Sequence, residues 1–153
     1  MTIWYRASFS TKPEIVFSGD GGVHEQGRWN HKGRKVIYCS QSIALCTLEW
    51  LSHNGLSVSG FSYSKYSIDV PQRFIKKYQV EDFPAGWNTS PAADITRDFS
   101  EETLFNQQKY MAIAVPSVVI PEEFNLVINP LHKNFSILLN TIKCLGTFTA
   151  PRR

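Results

Sequence analysis

Side chains alternate over residues 3–9, with Ile3, Tyr5, Ala7 and Phe9 on one side and Trp4, Arg6 and Ser8 on the other. A period of two predicts an opening β-strand. Residues 18–35 have no period and contain Gly19, Gly21, Gly22, Gly27 and Gly33, which predicts a long loop. Apolar character returns at Val36, Ile37, Tyr38 and Cys39, a short strand that feeds directly into a helix over residues 41–53. Ser40 is the predicted N-cap of that helix and Gly55 its closing glycine. Residues 66–70 and 74–80 read as strands separated by Pro71, and residues 83–91, with Pro84 and Pro91, as irregular chain. Ser100 followed by Glu101 and Glu102 predicts a helix running to Gln108. Residues 110–115, 118–120 and 125–128 are β-rich and punctuated by Pro116, Pro121 and Pro130. Strands mixed with helices, without an internal repeat, predict a single α+β domain over residues 1–153.

Composition fits that reading. The hydrophobic fraction is 42% and the charged fraction 19%, which excludes a disordered tail, a coiled coil or a collagen-like chain. A net charge of +3 leans toward phosphate-bearing partners without requiring them. Cys39, Cys46 and Cys144 form no C-x-x-C pair, so reduced thiols in a cytoplasm are expected, with no disulfide framework or zinc knuckle. No apolar run approaches the ~20 residues that cross a bilayer, and no membrane association is expected. The four histidines are scattered, and no metal is expected.

Motifs for nucleoside triphosphates, dinucleotide-binding βαβ units, zinc proteases and lipases are all missing. The loop Gly27-Arg28-Trp29-Asn30-His31-Lys32-Gly33-Arg34-Lys35 places four cations and an aromatic ring around two glycines. It reads either as a phosphate cradle or as a solvated basic hairpin with Trp29 tucked into the core. The basic residues do not extend into a stripe elsewhere, which argues against direct nucleic-acid binding. In the helix of residues 41–53, Glu49 interrupts an apolar run. At ~100° per residue it shares an arc with Ser52 and His53, so it either faces solvent or enters a cleft where it can stabilise a developing cation. The Tyr38 phenol either stacks on a flat ring or fills the core. Ser117 has no base near it in sequence and reads by itself as a turn residue.

Five ordered segments change the weighting: G-R-W-N-x-x-G at residues 27–33, V-I-Y-C-S at 36–40, A-L-x-x-L-E at 44–49, V-P-S-V-V-I-P at 115–121 and N-L-V-I-N-P-L-H at 125–132. Together with W-Y-R at residues 4–6 they resemble the RES domain, named for its arginine, glutamate and serine. Where many relatives carry a Gly-Asp-x-Trp-like segment, this chain has Arg97-Asp98-Phe99-Ser100.

The resemblance implies a fold similar to ADP-ribosyltransferase toxins, with a mixed α+β core around a nicotinamide-dinucleotide cleft. It implies a bacterial cytoplasmic toxin that depletes NAD by phosphorolysis or hydrolysis of the nicotinamide–ribose bond. NAD is then substrate, and inorganic phosphate a co-substrate. The implied partner is a helix-turn-helix (Xre-type) antitoxin, with a homodimer inside the toxin–antitoxin complex. The family arginine falls on Arg28, the tyrosine on Tyr38, the glutamate on Glu49 and the serine on Ser117. Arg28, Glu49 and Ser117 are thereby the catalytic candidates, and Arg28, Tyr38, Glu49 and Arg6 the NAD-binding ones. Two other readings stand beside this one: ADP-ribosyl transfer to a protein, and a non-catalytic phosphate- or RNA-binding module.

Overall fold

The computed structural model describes residues 2–55 and 60–150. The predicted opening strand is β1 (Ile3–Ser8), followed by two one-turn helices, α1 (Pro13–Val16) and α2 (Gly21–His24). Next come β2 (Ile37–Ser40), α3 (Ile43–Asn54), β3 (Ser62–Asp69) and β4 (Ile75–Lys77). The second half holds α4 (Asp94–Ser100), β5 (Ala112–Pro116), β6 (Phe124–Ile128) and β7 (Lys143–Thr149). The seven strands form one sheet in the order β4-β5-β6-β2-β1-β3-β7, antiparallel throughout except for the parallel pair β4–β5. A mixed α+β domain is what the alternation of patterns predicted.

Several local expectations are corrected. Ser40 is the last residue of β2, and Ser42 caps α3 by accepting a bond from the Leu45 N–H (3.0 Å). Gly55 closes α3 at a φ of 69°, where a left-handed turn favours glycine, and its N–H donates to the Leu51 carbonyl. The helix expected from Ser100 already begins at Asp94. Ser100 lies buried within it, donating to the Thr96 carbonyl, and a π-helical stretch (Glu101–Asn106) continues it. The stretch expected as a strand over residues 74–80 is reduced to β4 with a 3-10 turn on each side. Residues 118–120 are not a strand, because the Ser117 hydroxyl accepts the N–H groups of Val119 (3.0 Å) and Ile120 (3.1 Å) and folds the chain into a turn.

Alternation across the strands sorts the sheet into two faces. One face carries Trp4, Ile37, Cys39, Tyr66, Ile68, Ala114 and Leu126, sealed by Val16, Phe17, Phe135 and Leu138. The other is covered at its two ends. Ile113, Val115 and Val127 pack under Trp29, Phe83, Trp87, Leu104 and Phe105, while Tyr63 packs under Trp50 of α3. Between these ends the sheet presents polar groups at the paired positions Ser40 and Asn125, and this polar floor underlies the site described next.

β1 and β2 share a single registered pair, Tyr5–Ser40. Beyond it the Arg6 guanidinium stands between the strands, donating to the carbonyls of Val16 (2.8 Å) and Tyr38 (3.0 Å). Two backbone carbonyls that no strand partner reaches are thereby satisfied.

Burial pushes the Cys39 thiol up to about 12 and the Cys46 thiol up to about 11, and raises the Tyr38 phenol as well. An acid whose pKa is higher folded than unfolded contributes its full stabilisation below the unfolded value and loses it as the pH rises through that value toward the folded one. Urea midpoints are therefore expected to fall as the pH passes about 9, the ordinary range of an unfolded thiol. Alkylation of the native protein should label the exposed Cys144 ahead of the two buried thiols. A flat midpoint across that range, or equal labelling of all three, would contradict this account.

Candidate active site

The loop that holds Arg28 is fixed by bonds within itself and to β2. Gly27 and Asn30 form an isolated β-bridge, and the Asn30 side-chain oxygen accepts both the Gly27 N–H (2.9 Å) and the Tyr38 hydroxyl (2.6 Å). The Tyr38 oxygen in turn accepts the Trp29 N–H (3.2 Å). A Cβ at residue 27 would come 2.7 Å from the Asn30 side chain and 2.8 Å from the Tyr38 oxygen, so only glycine permits this closeness. Trp29 is 3% exposed and belongs to the core, as the hairpin reading had it.

Residues 94–101 fasten the loop from the other side. Arg97 donates to the Gly27 carbonyl (2.8 Å), and the Thr96 hydroxyl donates to the Arg28 carbonyl. His31 meets Asp98 at 2.7 Å, and Arg34 makes a two-pronged pair with Glu101 at 2.9 and 2.6 Å. Lys35 pairs with Asp20 at 3.2 Å. The basic loop is thus largely a tied structural hairpin. The segment Arg97-Asp98-Phe99-Ser100, where the family resemblance departs, is one of its ties.

The Arg28 side chain crosses to the irregular segment, donating from one terminal nitrogen to the carbonyls of Trp87 (3.1 Å) and Thr89 (2.9 Å). Partial burial lowers its pKa, the charge of Glu49 raises it and that of Arg97 lowers it. Arg28 and Glu49 therefore feel one another electrostatically.

Glu49 stands on α3, half-buried. Its Oε1 accepts two bonds, from the Ser117 hydroxyl (2.6 Å) and from the Asn125 amide (2.8 Å). Among the described residues no hydrogen bond reaches Oε2. The Asn125 side-chain oxygen accepts from Ser40 (2.8 Å), which orients the amide so that its NH2 faces the carboxylate. Ser117 is 0% exposed, its oxygen held by the Val119 and Ile120 N–H groups.

The sequence-derived residues thus fall into two groups, coupled through the charges of Arg28 and Glu49. Glu49 and Ser117 bond directly, while Tyr38, in β2, holds the loop that carries Arg28. Arg6 stands apart, committed to two backbone carbonyls. Asn125 was not among the residues picked out from the sequence. It appeared there only as the first residue of the N-L-V-I-N-P-L-H segment and of the β-rich run of residues 125–128, with no role given to it. Its role becomes visible once β2 and β6 pair and set it opposite Ser40.

This geometry can grip a dianionic linker at Arg28 and present one carboxylate oxygen to a positive centre. Among the described residues no group of three His, Cys, Asp or Glu side chains could hold a metal ion, and no helix is long and apolar enough to cross a membrane.

Comparison with known proteins places the chain in a family. The RES domain model matches residues 3–142, and the chain belongs to that family. It is 34% identical over 137 residues to Toxin Res of Yersinia enterocolitica, an alignment covering 90% of each protein. It is 35% identical over 120 residues to the Prs ADP-ribosylating toxin of a Sphingobium strain, covering 75% of this chain and 73% of that one. Among solved structures, the M. tuberculosis MbcT–MbcA toxin–antitoxin complex contains a chain that superposes with a TM-score of 0.71 at 14% identity. That match covers 98% of this chain and 84% of that one, and it shows a common fold.

Proposed function

We propose that this protein is a toxin that consumes NAD in the bacterial cytoplasm by breaking the nicotinamide–ribose bond. The observation that carries the reading is the Glu49 carboxylate, held on Oε1 by Ser117 and Asn125, with Oε2 left for a ligand. As the bond lengthens, nicotinamide departs with the bonding electron pair and positive charge grows on the ribose. A fixed carboxylate stabilises that charge without reorganising at the moment of reaction. Glu49 also serves to hold the ribose hydroxyls, and Ser117 keeps the carboxylate in place.

Arg28 binds the pyrophosphate through the guanidinium nitrogens not spent on the Trp87 and Thr89 carbonyls. Tyr38 contributes its ring to the cleft beside the nicotinamide. Its hydroxyl is engaged on both sides and holds the loop. Arg6, one of the NAD-binding candidates named from the family resemblance, acts here through the Tyr38 carbonyl, keeping β2 in position. The attacking oxygen comes from inorganic phosphate or water, and its surplus proton passes to solvent. A cognate helix-turn-helix antitoxin neutralises the activity by occupying the cleft. The superposition on a chain of a toxin–antitoxin complex supports such a partner.

A second reading, transfer of ADP-ribose to a protein, is favoured by the similarity to a relative named an ADP-ribosylating toxin. It uses the same bond cleavage with a protein side chain as the attacking group. Purified protein incubated with NAD, with and without phosphate, is expected to release nicotinamide. ADP-ribose 1″-phosphate identifies phosphorolysis, ADP-ribose hydrolysis, and a labelled protein from added lysate transfer. Intact NAD and an unlabelled lysate together would overturn the reading. Co-expression of the adjacent antitoxin should restore growth and co-purify with the toxin.

A further inference from the structure

The face of the sheet opposite the cleft holds a cavity of about 350 Å³, lined by Ile3, Trp4, Gln41, Ile75, Lys77 and Phe124 together with Ala114 and Gln72. Trp4 and Ala114 are buried, whereas Lys77 and Gln72 are exposed, so the cavity has an apolar base and a polar mouth. Its size lies in the range that accommodates a small organic ligand.

The polar groups of its lining are unevenly matched. No carboxylate lines it, and Lys77 takes part in no ion pair among the described residues. Instead the Lys77 ammonium stands 4.0 Å from the centre of the Phe124 ring. The Gln41 side-chain oxygen already accepts the Phe124 N–H (2.8 Å), so its NH2 remains to donate. Trp4 Nε1 is the one buried side-chain polar atom without a hydrogen-bond partner among the described residues. The lining therefore offers aromatic walls, one unneutralised cation and surplus donors.

We propose that this cavity is a binding site for a small aromatic carboxylate, separate from the NAD cleft. The ring lies among Trp4, Phe124 and Ile75, and the carboxylate meets Lys77 at the mouth. The site backs directly onto the catalytic groups. Gln41, the residue after β2, and Phe124 of β6 line it from one face of the sheet, while their chain neighbours Ser40 and Asn125 bond each other on the opposite face. A ligand seated there contacts β6, the strand that carries Asn125 to Glu49.

The test uses benzoate as the probe and the indole N–H signals of ¹⁵N-labelled protein as the readout, with the Trp4 signal assigned by its loss in Trp4→Phe. Benzoate is expected to shift the Trp4 signal saturably in the millimolar range. Lys77→Met, a surface change that leaves the core intact, should weaken binding by about tenfold or more, as loss of a charged hydrogen bond does. Arg28→Ala should leave the benzoate response unchanged. A Trp4 signal that benzoate does not move overturns the proposal. Equal affinity in Lys77→Met, or a response lost in Arg28→Ala and kept in Lys77→Met, does so too. Because the readout is a chemical shift, it stands or falls apart from NAD turnover.

Discussion

Replacing Glu49 with glutamine is expected to lower NAD turnover by about 10² to 10³ while the protein stays folded. Glutamine keeps a side-chain oxygen able to accept the Ser117 and Asn125 bonds seen at 2.6 and 2.8 Å, so the substitution removes charge with little change of shape. The loss should appear in kcat, because the charge it removes matters most as the ribose becomes cationic. Asn125→Ala is expected to cost less, since it frees the carboxylate without neutralising it. The double variant Glu49→Gln/Asn125→Ala should then be no slower than Glu49→Gln alone, because Asn125 acts through Glu49. Wild-type kcat in Glu49→Gln would remove Glu49 from the chemistry. Additive losses in the double variant would give Asn125 a role of its own.

The second large effect is expected at Arg28. Arg28→Ala removes a guanidinium that bridges to the carbonyls of Trp87 and Thr89 and is coupled by charge to Glu49. A charged hydrogen bond contributes roughly 1.5–3 kcal/mol, so KM for NAD should rise by roughly ten- to a hundredfold. Arg28→Lys separates charge from geometry, since an ammonium supplies the charge but not the planar fork that grips a pyrophosphate while bridging two carbonyls. Lysine should therefore recover only part of the loss. A KM in Arg28→Lys equal to that of the wild type would show that charge alone suffices and would sink the two-pronged contact. Melting temperatures of both variants serve to separate loss of the Trp87–Thr89 tether from loss of substrate affinity.

The parts of the fold that were legible in the sequence are those where a local signal and the tertiary environment agree. The alternation of residues 3–9 became β1, the run before Ser40 became β2, and Gly55 closed α3 at positive φ. Where no local signal exists, the reading failed. α4 begins at Asp94 behind Ala93, whose side chain offers no cap, so nothing in the sequence marked its start. β7 pairs along β3, yet its mixed run around Gly146 carries no alternating apolar pattern, and no strand was read there.

The site divides in the same way. Arg28, Tyr38, Glu49 and Ser117 were named from motifs, but periodicity left Glu49 between solvent and cleft. That ambiguity is physical, because α3 exposes Ile43, Ala44 and Leu48 and so lacks a clean apolar stripe. Ser117 looked like a turn residue and is one. It also bonds a carboxylate 68 positions earlier, a relation that no local pattern encodes.

That separation also bears on when the protein becomes dangerous to its own host. Arg28, Tyr38 and Glu49 leave the ribosome early, but the groups that seat the carboxylate, Ser117 and Asn125, arrive 68 and 76 positions after it. The strand on which β2 closes is β6, which ends at Ile128. A nascent or prematurely terminated chain therefore carries the charged residues without the frame that aims them, and under the proposed function it is expected to be inactive until most of the message has been read. Synthesis itself would then set a delay, within which the proposed antitoxin, made beforehand, could meet each molecule as its site first forms.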